Sequence, residues 1–245
     1  MTNYDFWQKW KNKSKIEKQA IKSIIKAREL IIKSIPKNKL LAIYVKGSFI
    51  RREMKKGSDV DIVPIVTENK YEGPVFETNI PKVHPCIIVP LSLWEFKHNE
   101  LFTKSDQKTD LRAKPDRFIK KLGYYKLIYG KQLNTKGFKI RSDEEVFKSL
   151  LKILQNVLIP MYEQGKARLS WVIKEFFWLT EDELILRGIK VEHSFKSIKN
   201  SVKDKNHPIK DAYKFRKKLL NGEIKEKIFI NKLKKHLNKL EKEML

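Results

Sequence analysis

Residues 44–66 read YVKGSFIRREMKKGSDVDIVPIV, and this stretch decides the fold. LLAIYV, 40–45, is rich in β-formers and runs into Gly47-Ser48, which predicts a strand and then a turn. SFIRREMKK is short, charged and closed by Gly57, the pattern of a brief helix. DVDIVPIV, 59–66, predicts a second strand, and Pro64 removes a ladder donor, which predicts an edge or a bend there. Asp59 and Asp61 are two residues apart on that strand. Their side chains therefore leave one face, about 6.5–7 Å apart along it, while Val60 and Ile62 leave the other.

Two carboxylates held this way repel each other unless a cation sits between them. Hard Mg²⁺ takes oxygen ligands and shares them with substrate phosphates. Gly47 lets the backbone approach a phosphate, and Ser48 adds a hydroxyl donor. A helix starting there would turn its positive end toward the anion, and Arg51, one turn on, could grip the same phosphates in fork geometry. The plainer alternative is a hairpin whose turn is capped by Ser58 and Asp59. That alternative leaves Asp61 unexplained.

The pattern G-S-x-x-R, a short gap, then S-D-x-D resembles the signature of the DNA polymerase β-like nucleotidyltransferase superfamily, in its small-domain form. The matching positions are Gly47, Ser48, Arg51, Ser58, Asp59 and Asp61, and the resemblance is good over roughly residues 38–95. It implies an α+β fold in which a mixed sheet flanked by helices is followed by an all-helical domain. It also implies Mg²⁺ (or Mn²⁺) on Asp59 and Asp61, and a nucleotide, ATP or another NTP, held by Gly47, Ser48, Arg51 and Ser58. The implied reaction moves a nucleoside monophosphate to an acceptor hydroxyl. Two departures stand out. Arg52 occupies a position where the superfamily often has a small residue. The third carboxylate implied for the next strand is also missing, since the alternate positions of KVHPCIIVP read His84, Cys86 and Ile88. His84 is the candidate to replace it, as base or metal ligand; as a rim histidine it would do neither. Glu77 could also reach in.

Outward from this stretch, Phe6, Trp10, Ile16, Ala20, Ile24, Ala27 and Ile31 recur at helical spacing, so residues 5–34 predict one or two amphipathic helices ended by Pro36. KVHPCIIVPL, 82–91, predicts a third strand, and Ser92 caps a short helix. A polar loop is expected over 103–113. KPDRFIKKLGYYKLIYGKQL then reads as a helix opened by Pro115 and stopped at Gly130. Residues 134–142 look like a linker. Beyond 143 the pattern is helical, with Asp143 as candidate N-cap. The expected domains are therefore 1–135, the nucleotidyltransferase part with its N-terminal amphipathic helix, and 143–245, a helical acceptor-binding part forming the other wall. Trp171, Phe176, Phe177 and Trp178 could stack on bases, but at this spacing they read as core. Arg187 and His193 in LRGIKVEH resemble the R-x(4–6)-H motif of HEPN ribonucleases; the alternative is that EHSFKSI starts a helix with His193 or Ser194 as a mere cap.

The chain carries 54 Lys+Arg against 29 Asp+Glu, a net charge of +25. Segments 1–40 and 194–245 hold much of it, at +8 and +10. Such an excess points to a polyanionic partner, RNA first, with a protein partner as the other possibility. A polycationic aminoglycoside acceptor would be repelled unless the cleft were locally acidic, and TEDEL, 180–184, is one of few acidic stretches. The alternative is a solvated lysine-rich surface. One cysteine, Cys86, excludes an intrachain disulfide and a cysteine-rich zinc site. With no apolar run long enough to span a bilayer, no membrane partner and a cytoplasmic location are expected. The rival function is a weak or inactive module of the same fold that binds RNA or a protein partner, as an antitoxin does.

Overall fold

A computed structural model of the chain describes residues 4–102 and 113–244. The polar loop expected over 103–113 falls almost wholly outside them. The chain divides into two compact units, residues 1–140 and 141–245.

The first unit is organised by helix α1, Lys15–Ser34, and a five-stranded sheet. Ser14 starts α1 with a capping box: its Oγ accepts from the Glu17 amide at 3.2 Å, and its own amide donates to Glu17 Oε2 at 2.7 Å. A single 3₁₀ turn, Phe6–Lys9, precedes it. The strands are β1 (Leu40–Lys46), β2 (Val60–Val66), β3 (Cys86–Ile88), β4 (Leu91–Ser92) and β5 (Lys126–Gly130). Their order is β3-β2-β1-β5, with β4 also on β2. β1 runs antiparallel to β2 and β5, while β3 and β4 run parallel to β2. The sheet is mixed, and the chain is α+β.

Alternation along the strands divides the core. Ile43, Val45, Val60, Ile62, Cys86 and Ile88 meet Ala20, Ile24, Ala27 and Ile31 of α1. Ala42, Tyr44, Val63 and Ile65 face the other way. There they pack against helices α3 (Leu93–His98) and α4 (Pro115–Lys120) through Phe96 and Phe118. Burying each Val, Ile or Phe among them is worth about 1.5–3 kcal/mol. Helix α2, Glu72–Phe76, links β2 to β3.

Several sequence expectations change here. Residues 48–56 form turns rather than a helix, because Arg52 takes a left-handed φ of 54° and breaks the helical path. The predicted helix over 114–133 stops after α4. Leu127, Ile128 and Tyr129 instead join β5 on the open edge of β1, where β-branched and aromatic residues fit best. The third strand shrinks to Cys86–Ile88 between Pro85 and Pro90. Pro64 does not mark an edge, because β2 is central. On its β3/β4 side the pairing passes from Ile62↔Ile88 to Ile65↔Leu91, so the missing N–H falls in the gap.

The second unit is helical: α5 (Asp143–Ile153), a π-turn (Leu154–Leu158), α6 (Ile159–Glu163), α7 (Leu169–Leu186), α8 (Phe195–Ser201), α9 (Pro208–Arg216) and α10 (Glu223–Met244). α7 packs against α5, α8 and α9. Phe176 and Phe177 are fully buried and Trp178 nearly so, which makes them core, whereas Trp171 is 47% exposed. The cap of α5 is Ser142 rather than Asp143, since Ser142 Oγ accepts the Glu145 amide at 3.1 Å and its amide donates to Glu145 Oε2 at 2.7 Å. Asp143 is the first helical residue. Ser142→Ala should therefore lower stability by about 1 kcal/mol and Ser142→Asp should preserve it, measured by urea denaturation followed by circular dichroism.

Candidate functional site

The site is built on one row across the sheet. β1 places Lys46 opposite Asp61, and β3 places Ile87 opposite it on the other side. Paired residues share a face, so Lys46, Asp61 and Ile87 line up on the face turned away from α1. Asp61 is half-buried and Asp59, just before β2, is exposed. Gly47 follows β1 with φ +86°, and a Cβ there would lie only 2.6 Å from Asp61 Oδ2. The left-handed φ is what favours glycine here, and a Cβ would in addition push the Asp61 carboxylate aside.

The turn after Gly47 is fastened from beneath. Phe49 is fully buried among Phe6, Trp7 and Trp10. The Arg52 amide donates to Phe49 O at 3.0 Å and the Glu53 amide to Ser48 O at 2.9 Å. Arg52 itself reaches back to α1. Its Nε donates to Glu17 Oε1 at 2.8 Å and its Nη2 to Glu17 Oε2 at 3.2 Å, while Nη1 and Nη2 also reach Lys11 O and Asn12 O at 3.1 Å each. The guanidinium lies 5.1 Å from the Trp10 ring centre. The Arg52 bond, with those from Ser14, holds the buried Glu17 carboxyl down at about 2. Arg52 is thus the staple of the turn, and the unusual residue in the motif has a structural task.

The other predicted residues lie on the turn between β1 and β2, in β3 or ahead of it. Ser48 is half-buried on the turn, with no helix behind it. Arg51, with 15% of its side chain exposed, donates from Nε to Glu53 Oε2 at 2.9 Å. Because no helix forms, its expected position one turn above Ser48 does not arise. Ser58 Oγ accepts the Lys55 amide at 2.8 Å and closes the Gly57 turn. His84 is exposed ahead of β3, and its carbonyl accepts Ser23 Oγ of α1 at 2.6 Å. Cys86 and Ile88 point into the α1 core. The third-strand position in register with Asp61 is therefore Ile87, 42% exposed, and not His84 or Cys86. Burial pushes the Cys86 thiol up to about 12, so it stays protonated and inert. Glu77 follows α2 and is exposed.

The donor set of Asp59 and Asp61 is all oxygen, and Gly47 puts no side chain against the Asp61 carboxylate. This fits one hard cation such as Mg²⁺ or Mn²⁺. The row itself offers no further carboxylate: its other members are Lys46 and Ile87.

In the helical unit, Arg187 donates to Glu183 Oε1 at 3.0 Å, and His193 Nδ1 lies 2.8 Å from Glu181 Oε2 with its ring stacked on Trp178. The two residues of the R-x-H pattern are held by different carboxylates. Ser194 Oγ accepts the Ser197 amide at 3.1 Å and caps α8. Glu181 and Glu183 of the TEDEL stretch are buried. Sequence reading missed Ile87, Lys46 and the Glu17–Arg52 staple, all of which depend on strand register or on a contact between distant segments.

No family model matches the sequence, and no curated protein matches it. Among solved structures, the chain is similar to the crystal structure of spectinomycin adenyltransferase AAD(9) from Enterococcus faecialis with ATP and spectinomycin. The TM-score is 0.51 at 14% identity, over 86% of this chain and 98% of that one. The chain has the DNA polymerase β-like nucleotidyltransferase fold. Within that fold, Asp61 of β2 lies beside the Gly47 turn at the end of the β1–β2 ladder. Among the described residues no helix is long and apolar enough to cross a membrane.

Two outcomes test this geometry. Gly47→Ala should lower stability by roughly 1–2 kcal/mol through its left-handed φ alone, and the added methyl should also turn Asp61 aside, read as weaker Mn²⁺ binding. Glu17 is ionised far below its usual range, so its contribution is present above pH 4.5 and is lost as pH falls toward about 2. The stability gap between wild type and Glu17→Gln, from urea titrations, should be constant from pH 7 to 5 and shrink below that.

Proposed function

We propose that this chain transfers a nucleoside monophosphate from an NTP to an acceptor hydroxyl, with RNA as the favoured acceptor. The observation that carries the reading is Asp61 against Gly47 on adjacent strands, with Asp59 one strand repeat away, in a nucleotidyltransferase fold. Asp59 and Asp61 would hold Mg²⁺ or Mn²⁺. When bound, that ion supplies charge neutralisation for the triphosphate and acidifies the acceptor oxygen. The Gly47-Ser48 turn, Arg51 and Ser58 would position the phosphates, and the Glu17–Arg52 staple keeps that turn in place. The acceptor oxygen bonds to the α-phosphorus, the bond to the departing pyrophosphate breaks, and the hydroxyl proton leaves. Solvent water takes up that proton. The helical unit would choose the acceptor.

The net charge of +25 favours a polyanionic acceptor over a cationic one. The spectinomycin bound in AAD(9) defines a small-molecule alternative. Incubation with each α-labelled NTP, Mg²⁺ and either total tRNA or spectinomycin tests both. Label should pass to RNA and fall to background in Asp59→Ala/Asp61→Ala; absence of transfer to RNA with all four NTPs sinks the RNA reading.

A second reading is favoured by Ile87. With an apolar residue in register with Asp61, the fold would serve as a non-catalytic module that binds RNA or a protein partner. Calorimetry separates the two, because micromolar Mg-NTP binding supports the enzyme and RNA binding without NTP binding supports the module. If the nucleotide binds but turnover is slow, Ile87→Asp should raise transfer about a hundredfold, the usual worth of a placed general base.

A further inference from the structure

Three polar side chains meet inside the helical unit, independently of the nucleotide site. They are Glu183 on α7, His207 at the cap of α9, and His236 on α10. One donor atom from each lies within 4.8 Å of the others. Glu183 Oε2, His207 Nε2 and His236 Nε2 are all buried and without a hydrogen-bond partner. Glu183 and His207 are each 7% exposed. Their other polar atoms are engaged: Glu183 Oε1 accepts from Arg187 Nε at 3.0 Å, and His207 Nδ1 accepts the Ile209 amide at 3.1 Å. Phe176 walls the space, stacked on His207 at 5.9 Å and edge-on to His236 at 5.8 Å. Buried polar atoms are almost always satisfied, so three convergent unsatisfied ones call for a shared partner.

We propose that Glu183, His207 and His236 bind one divalent transition-metal ion, zinc first, that ties α7, α9 and α10 together. Two imidazoles and one carboxylate form a borderline donor set that suits Zn²⁺, Co²⁺ or Ni²⁺ and not the all-oxygen preference of Mg²⁺ or Ca²⁺. Three protein ligands leave a fourth position for water.

Binding entails two local changes. Zinc donors at about 2.0–2.2 Å from the ion lie closer together than these atoms do, so the side chains must draw in. Coordination through His207 Nε2 also moves that ring's proton to Nδ1, and the Ile209 amide gives up its bond there. The competing occupant is a single water, which could accept from His207 Nε2–H and donate to the other two atoms.

The test uses untagged full-length protein, stripped of metal and then freed of chelator. It is titrated with Zn²⁺ alone against a chromophoric competitor, and with Co²⁺ followed by visible absorption. One equivalent should bind with sub-micromolar affinity and raise the melting temperature. His236→Gln, at a half-buried position, should weaken binding at least tenfold. Asp59→Asn/Asp61→Asn should bind zinc as wild type does, separating this site from the nucleotide site. If His236→Gln fails to fold, Glu183→Gln, which keeps an oxygen for Arg187, gives the same reading. Absence of a bound equivalent means water only and overturns the proposal, as does zinc binding that survives both substitutions.

Discussion

The antiparallel ladder between β1 and β2 is the constraint on which the rest of the first unit depends. Its register puts Lys46 opposite Asp61 and brings the end of β1 alongside the start of β2. Gly47 then sits in a left-handed turn beside the Asp61 carboxylate, where a side chain would be strained and would displace that carboxylate. A slip of one residue would turn Asp61 into the α1 core and Val60 and Ile62 out of it. The cost of burying a carboxylate among Ile24, Ala27 and Ile31 makes that slip unfavourable, so the apolar pattern fixes the register and the register fixes the site.

The turn between these strands is a loop by secondary structure but a rigid one by its contacts. A buried phenylalanine pins its base, and a two-pronged arginine–carboxylate pair pins its far side to the start of α1. Such a pair is stronger than an exposed ion pair because Glu17 is buried and its oxygens are fully used, by Arg52 and by the α1 cap. One glutamate therefore joins helix initiation to the shape of the candidate phosphate cradle. The residue that departs from the superfamily pattern, Arg52, is the one that makes this link.

Much of the first unit was legible in the sequence. The two strands, the break at Gly47, the amphipathic α1 and the Asp59/Asp61 face follow from periods of 2 and 3.6 and from glycine placement, whereas the brief helix expected between the strands does not form. Other features were not. LIY at 127–129 suits helix or strand locally, and only the open edge of β1 decided for β5. Pro64 reads as an edge signal until two short strands are seen to share one side of β2. His84, Cys86 and Ile88 were the reasonable alternate set for the third strand, but its start and parallel register put Ile87 beside Asp61. The Glu183–His207–His236 cluster left no local spacing to read, since its members come from three helices and His207 precedes a proline as a helix cap would.

The sequence by itself determined which residues carry charge on which face of which element, because alternation and helical periodicity are local properties of the chain. It determined the α+β division, the carboxylate pair and the strong positive charge. Tertiary structure decided who stands next to whom: Ile87 beside Asp61, Glu17 under Arg52, and two histidines against one glutamate. Those neighbours are set by strand register and helix packing, which minimise exposed apolar surface over the whole unit, and no single segment encodes that sum.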